Sequence, residues 1–304
     1  MSSEKSKPTV QTTGHSWDGD LQEFNNPLPS WWLWTFYATV IFAIIYWVLY
    51  PAWPVGDSYT KGMMNDITYT TADGKTKTTH WNTRSLLLKE MQDAREQQAP
   101  YLKDINALTF EQIRSSEEKS AFANSMAKVL FADNCAACHQ AGGDGVMGYY
   151  PNLLDDAWLW GGSFSKIQES IANGRMGSMP GFKASLSSKQ ISDVSEYVLS
   201  LSGNEADAAA VKRGKTVFSG QGGCIACHGA DAKGQSFMGS ANLTDKIWTI
   251  ADVAAADTAA AKKSAVMDVV TNGKTRHMPA WKDRLSATEI KILTYYVHQL
   301  GGGK

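Results

Sequence analysis

The sequence predicts an all-α protein: one membrane-spanning helix, then two tandem helical domains. Three observations predict it. A twenty-residue apolar run, "WWLWTFYATVIFAIIYWVLY", lies at Trp31–Tyr50 inside a stretch without charge from Phe24 to Gly56. The C-terminal two thirds contain an internal repeat, and each copy closes on a period-3.6 apolar stretch. Neither copy contains a convincing alternating strand pattern.

The elements follow in order. Twenty helical residues rise about 30 Å, the thickness of a bilayer's hydrocarbon core. Aromatic residues cluster at both ends of the run, as at a membrane interface. A cleaved signal peptide would be shorter and nearer the start. Pro27 and Pro29 give a rigid, non-helical entry that delivers Trp31 and Trp32 to the interface. The expected layout is therefore a cytoplasmic segment over 1–30 and an anchor over 31–53. Lys5, Lys7 and Lys61 give only a slight charge preference for that orientation.

A connecting segment over 54–116 comes next. Asp73-Gly74 reads as a turn between Thr-rich arms, a hairpin. "RSLLLKEMQDAREQQAPYL" reads as an amphipathic helix stopped by Pro100. This segment either docks on a partner subunit or serves as a packed spacer.

The two copies occupy 117–203 and 204–304. All four cysteines of the 304 residues fall in two identical arrangements, Cys135-Ala-Ala-Cys138-His139 and Cys224-Ile-Ala-Cys227-His228. C-x-x-C-H reads as a c-type heme attachment. Each thiol adds to one vinyl group of the porphyrin, and the adjacent histidine lies under the iron. Two covalently bound hemes c are expected. A zinc site would instead gather both pairs and need no histidine after each, and a redox pair would need only one of them.

A second axial ligand is sought among eleven methionines. Met179 in "NGRMGSMPGF" and Met278 in "NGKTRHMPAW" sit in matching Met-Pro loops. Proline biases the residue before it to an extended backbone, which suits a loop presenting a sulfur to a metal. Met176 and His277 are competing ligands beside them. Pairing within each copy is the simplest arrangement, and exchange of methionines between copies stays open.

The repeat extends beyond the ligands. "PNLLDDAW" at Pro151–Trp158 matches "ANLTDKIW" at Ala241–Trp248, and Asn173-Gly174 matches Asn272-Gly273. The offset grows from 89 residues at the cysteines to 99 at Asn-Gly, which places an insertion in the Ala-rich stretch around Thr258. Helices are expected over Ala121–Phe131 and Ala208–Phe218. At the ends of the copies, Ile191, Val194, Tyr197, Val198 and Leu201 share one helix face, as do Ile290, Leu293, Tyr296, Val297 and Leu300. Ser286 and Glu289 form a capping box on the last helix, and Gly301 stops it.

Each copy resembles a class I cytochrome c domain: a small residue and an aromatic on the first helix, C-x-x-C-H, Asn-Leu, Met-Pro and a closing helix with an aromatic. The resemblance implies that the carbonyl of Pro151 accepts a hydrogen bond from His139, with Ala241 in the matching place. Over nearly the whole chain, "HSWDGDLQEFNNPLPSWW" at His15–Trp32, the anchor and the two heme motifs resemble the diheme c-type cytochrome subunit III of bacterial cbb3-type cytochrome c oxidases. That resemblance implies a protein of the bacterial inner membrane, and because covalent heme attachment occurs outside the cytoplasm, the heme domains are expected in the periplasm. It implies electron relay from a soluble cytochrome c donor to a monoheme cytochrome c subunit and the heme–copper catalytic subunit. The chain would be an electron-transfer subunit and not itself the catalyst. Readings from outside that family are a diheme subunit of another membrane dehydrogenase complex, a diheme peroxidase and a gas sensor. With a formal net charge of −1 no nucleic-acid partner is expected.

Overall fold

A computed structural model describes residues 11–63 and 66–301. Lys5 and Lys7, at the start of the expected 1–30 segment, lie outside the described residues. The chain forms two compact units, Met1–Gln98 and Ala99–Lys304.

The first unit opens with an antiparallel hairpin, β1 (Thr12–Trp17) against β2 (Leu21–Phe24). Its turn uses left-handed backbone at Asp18 and Gly19. α1 (Ser30–Leu49) follows directly on Pro29. None of its side chains is buried by the protein, so it is no core helix; it has the length and composition to cross a membrane. Thr35 and Thr39 hydroxyls donate to the carbonyls of Trp31 and Phe36, which leaves few free polar groups on a lipid-facing surface. The helix stops at Leu49, short of the expected 53, where Tyr50 turns extended just ahead of Pro51. β3 (Pro54–Val55) and β4 (Ser58–Tyr59) make a second small hairpin. β5 (Asp66–Thr70) and β6 (Thr76–His80) form the expected Thr-rich one, with Gly74 at φ 78° in its turn.

α2 (Thr83–Ala107) differs from expectation by running through Pro100 instead of stopping there. Proline removes one donor, and the orphaned carbonyl belongs to Glu96. Both residues are exposed, so water can serve that carbonyl and the helix tolerates the loss.

The second unit holds the end of α2, α3 (Phe110–Ser115), α4 (Glu117–Asn134), α5 (Ala136–His139), α6 (Phe164–Asn173), β7 (Arg175–Met179) and α7 (Ser188–Leu201). Then come α8 (Ala208–Ser219), α9 (Ile225–His228), α10 (Ala259–Asn272), β8 (Lys274–Met278) and α11 (Ala287–Leu300). Capping boxes at Ser187/Gln190 and Ser286/Glu289 start the two closing helices. The insertion in the second copy appears partly as extra helix: α10, capped by Thr258, has 14 residues against ten in α6. Residues 99–116, which the sequence assigns to the connecting segment, bury Ile105 and Ile113 against α4 and α11. The short strands β7 and β8 were not legible as strands, because they pair only with each other and each is too short to show an apolar alternation.

Packing does not follow the linear order of the copies. α7, the closing helix of the first copy, packs on α8, the opening helix of the second, in a core with Val217, Phe218, Val266 and Val270. α11 covers α4 and α6, in a core with Phe131, Ile167 and Ile171. Two aromatic pairs mark the exchange. Tyr197 meets Phe218 at 5.3 Å and 64°, and Tyr296 meets Phe131 at 5.5 Å and 62°. Tyr197 and Tyr296 are repeat equivalents, as are Phe131 and Phe218, so each tyrosine sits on the other copy's phenylalanine.

The crossings are tight. A side chain at Gly214 on α8 would collide with the Asp193 carbonyl and approach Tyr197 Cβ to 2.8 Å. Ala127 occupies the comparable crossing on α4, with Ile292 beside it and both fully buried. Asp193, almost fully buried, accepts two 2.8 Å bonds from Arg213 of α8.

Gly214→Ala is expected to lower stability by about 1–3 kcal/mol through overpacking, read by chemical denaturation of the full chain. Ala127→Gly should cost no more than the helix propensity difference, roughly 1 kcal/mol. The Arg213 guanidinium, with Lys189, holds the Asp193 carboxyl below its ordinary value. Its stabilisation is therefore complete above about pH 4 and fades as pH falls through the lower folded value. The stability gap between wild type and Asp193→Asn should shrink on acidification through that range; a gap independent of pH would contradict the ion pair's role.

Candidate heme centres

Each cysteine motif is one short helical turn. α4 runs into Cys135, whose N–H still donates to Phe131 O at 2.8 Å, and α5 then carries Cys138 and His139. α9 does the same for Cys227 and His228 after Cys224. The turns end in left-handed backbone at Gln140 (φ 65°) and Gly229 (φ 78°). Glycine adopts that geometry freely, so the first copy carries the more strained exit.

Both imidazoles are oriented from behind. His139 Nδ1 lies 3.0 Å from Pro151 O and His228 Nδ1 lies 2.9 Å from Ala241 O. A carbonyl only accepts, so each Nδ1 carries the proton and donates. Nε2 is left as the free lone pair, the arrangement of a metal-ligating histidine with its outer partner. Burial pushes both imidazoles below their ordinary value, and the carbonyl bond only partly opposes it, so both are neutral at neutral pH. Burial also pushes the Cys135 thiol up to about 11, and raises Cys224. Neither is activated as a thiolate by its surroundings in the folded chain.

The methionines arrive on a two-stranded ribbon. β7 and β8 pair antiparallel, with Arg175 opposite Met278, Gly177 opposite Arg276 and Met179 opposite Lys274. Side chains alternate faces along a strand. Arg175, Gly177, Met179, Lys274, Arg276 and Met278 fall on the half-buried face; Met176, Ser178, Thr275 and His277 point out. The rival ligands Met176 and His277 are opposite each other on the exposed face.

The two ends of the ribbon belong to different centres. Met278 packs in the core that holds Cys135 and Ala136 of the first motif. Met179 packs in the core that holds Cys224 and Ile225 of the second. The backbone locks this crossing. Trp281 N–H donates to Ile171 O at 3.1 Å and Phe182 N–H donates to Val270 O at 2.9 Å, tying each Met-Pro loop to the other copy's helix. Gly174 (φ 71°) has no room for a side chain beside the Met278 carbonyl, and Gly273 (φ 73°) none beside Met179. The repeated Asn-Gly was visible in the sequence; that each clasps the opposite methionine loop was not.

One continuous, predominantly apolar cavity of about 620 Å³ contains both sites. It is lined by all four cysteines, His139, His228, Met179, Met278 and the tryptophans Trp158 and Trp248. Among the described residues, four buried side-chain atoms lack a protein partner, and three belong to residues that line this cavity: Trp158 Nε1 and Arg276 Nε and Nη1. Unpaired buried donors are costly, so these await acceptors. Paired thiols, back-bonded imidazoles, thioethers, apolar walls and spare donors for carboxylates together fit heme c. Arg276 was missed from the sequence because the repeat offers no guide to it: the matching position is Gly177.

Known proteins agree with this chemistry. Residues 9–57 match the family described as the N-terminal domain of cytochrome oxidase-cbb3, FixP. Residues 123–198 and 209–297 match the family described as cytochrome c oxidase, cbb3-type, subunit III. The chain is 43% identical to the cbb3-type cytochrome c oxidase subunit FixP of Azorhizobium caulinodans, over 96% of this chain and 94% of that protein. It is 39% identical to subunit CcoP of Azospirillum brasilense, over 97% and 96%. It is 37% identical to subunit CcoP of Cereibacter sphaeroides, over 98% and 99%.

Proposed function

The chain belongs to the cbb3-type cytochrome c oxidase subunit III family, a family of heme c-binding electron-transport proteins, and on that premise we propose that it is the electron-input arm of such an oxidase. In this reading it carries two hemes c, takes electrons from a soluble cytochrome c and passes them to a monoheme cytochrome subunit and then to the heme–copper subunit that reduces oxygen. It has no catalytic site of its own. α1 anchors it in the inner membrane, residues 1–30 lie in the cytoplasm, and the second unit lies in the periplasm, where c-type hemes are attached.

Bound heme c supplies a one-electron iron couple. The chain's residues do the rest. Cys135 and Cys138 would hold one porphyrin by thioether bonds, and Cys224 and Cys227 would hold the other. His139, held by Pro151, and His228, held by Ala241, each present Nε2 to an iron. Met278 is proposed to face His139, and Met179 to face His228. Thioether and imidazole ligands together would favour the reduced iron, as an electron acceptor requires. The apolar walls exclude water, which limits rearrangement on electron transfer.

The observation that carries this reading is the reciprocal seating of the two methionine loops in the cores of the opposite motifs. It also sharpens the expected domain layout. The proposed heme modules are 117–174 with the segment from Met278 onward, and the residues from Met179 through Asn272, in place of the linear halves 117–203 and 204–304.

Two measurements test the proposal. Membranes containing the tagged chain should yield a complex with heme c, heme b and copper that consumes oxygen with reduced cytochrome c. A flavin-containing dehydrogenase as partner would overturn the assignment to oxygen reduction. For the ligands, Cys224→Ala/Cys227→Ala leaves only the first heme. There Met278→Ala should abolish the sulfur–iron charge-transfer signature of the oxidised protein, and Met179→Ala should leave it. The reverse outcome would restore pairing within each copy.

A further inference from the structure

Three cations line the cavity, Arg175, Lys274 and Arg276, and among the described residues Arg276 has neither a carboxylate nor an aromatic ring against it. Arg276 lies on the inner face of β8, at the centre of the ribbon whose ends carry Met179 and Met278. Its ribbon partner is Gly177, which has no side chain to compete for space. The guanidinium donates from Nη2 to the Thr249 carbonyl, which fixes its plane. Nε and Nη1 are buried and have no partner. Among the described residues no carboxylate forms an ion pair with it; the salt bridges there use other groups. The other cations of the ribbon face are engaged differently: Arg175 pairs with Glu169 and stacks on Trp160, and Lys274 lies over Tyr149. A buried, unpaired guanidinium is costly unless an anion arrives with the ligand.

We propose that Arg276 binds a propionate carboxylate of the heme at the Cys224–His228 centre, and that its charge sets how readily that heme is reduced. The choice of centre follows from Thr249, the residue after Trp248, which packs in the core with Cys224. Planar guanidinium donors suit a carboxylate, and the half-buried site weakens screening by solvent. A fixed positive charge beside the porphyrin favours the iron state of lower charge, the ferrous one. Arg276 has no counterpart in the first copy, so it also distinguishes two otherwise repeated centres and favours the second as the stronger acceptor. This inference rests on the reading that heme fills both sites.

The experiment compares Arg276→Gln, Arg276→Lys and wild type as full chains, with heme content, axial-ligand spectra and redox titration of each centre. Glutamine keeps a donor for Thr249 but removes the charge. It should lower the reduction equilibrium constant of the Cys224–His228 heme about tenfold, a shift of about 59 mV for one electron, with a smaller change at the other heme. Lysine should recover most of the loss. Unchanged titration of that centre in a glutamine variant that keeps both hemes and both sulfur ligands would overturn the proposal, as would a loss that lysine does not recover. If the glutamine variant does not assemble, Arg276→Met, which also removes the charge, is titrated in its place with the same expected and overturning results. Propionate-sensitive Raman bands that shift without a change at iron support the proposal, and bands that stay in place overturn it. A wild-type chain lacking two sulfur-ligated hemes would instead refute the heme assignment itself, a distinct result.

Discussion

Only six residues, Ser202–Asp207, join the closing helix of the first copy to the opening helix of the second. A connection that short keeps consecutive helices together, so α7 packs on α8. α4 then lacks its own closing helix, and α11 fills the place. Asp193 with Arg213, and Gly214 under the Asp193 carbonyl, stabilise this junction. The crossed Met-Pro loops follow from it, since each precedes its closing helix by fewer than ten residues. The ribbon of β7 and β8 forms where the two crossing segments pass each other.

Such an arrangement makes the two proposed centres parts of one unit. Each copy's Met-Pro loop packs in the core that holds the other copy's cysteine motif, and the ribbon joins the two loops. A shared cavity adds an electrostatic link, because a charge at the ribbon's midpoint lies between both sites. Two separate beads on a string would have no such dependence. In the proposed relay, joint packing of the two centres would hold the gap between carriers constant while the iron states change. Among the described residues no side chain of α1 is buried by the protein.

Much of this was written plainly in the residues. The cysteine–histidine motifs, the capped closing helices, the Thr-rich hairpin and the uncharged run each carry a local signal: fixed spacing, a period of 3.6, a turn dipeptide, a length. The partner carbonyls of the two histidines were implied by family resemblance. Pro100 was misread because proline's effect on a helix depends on whether the orphaned carbonyl can reach water, which exposure decides. β7 and β8 were missed because each is a strand only by virtue of the other, nearly one hundred residues away. Arg276 was missed because a buried unpaired cation is a property of its surroundings and not of its neighbours in sequence.

Sequence alone determined which residues can bind, how many motifs there are, and which segment is apolar enough to cross a bilayer. Those depend on covalent order and local periodicity. Tertiary structure decided which methionine meets which cysteine motif, which of two adjacent sulfurs or nitrogens faces inward, and which donors are left waiting in the cavity. The repeat made within-copy and exchanged pairings equivalent in local chemistry. Only the connection between α7 and α8, acting through packing, separates the two.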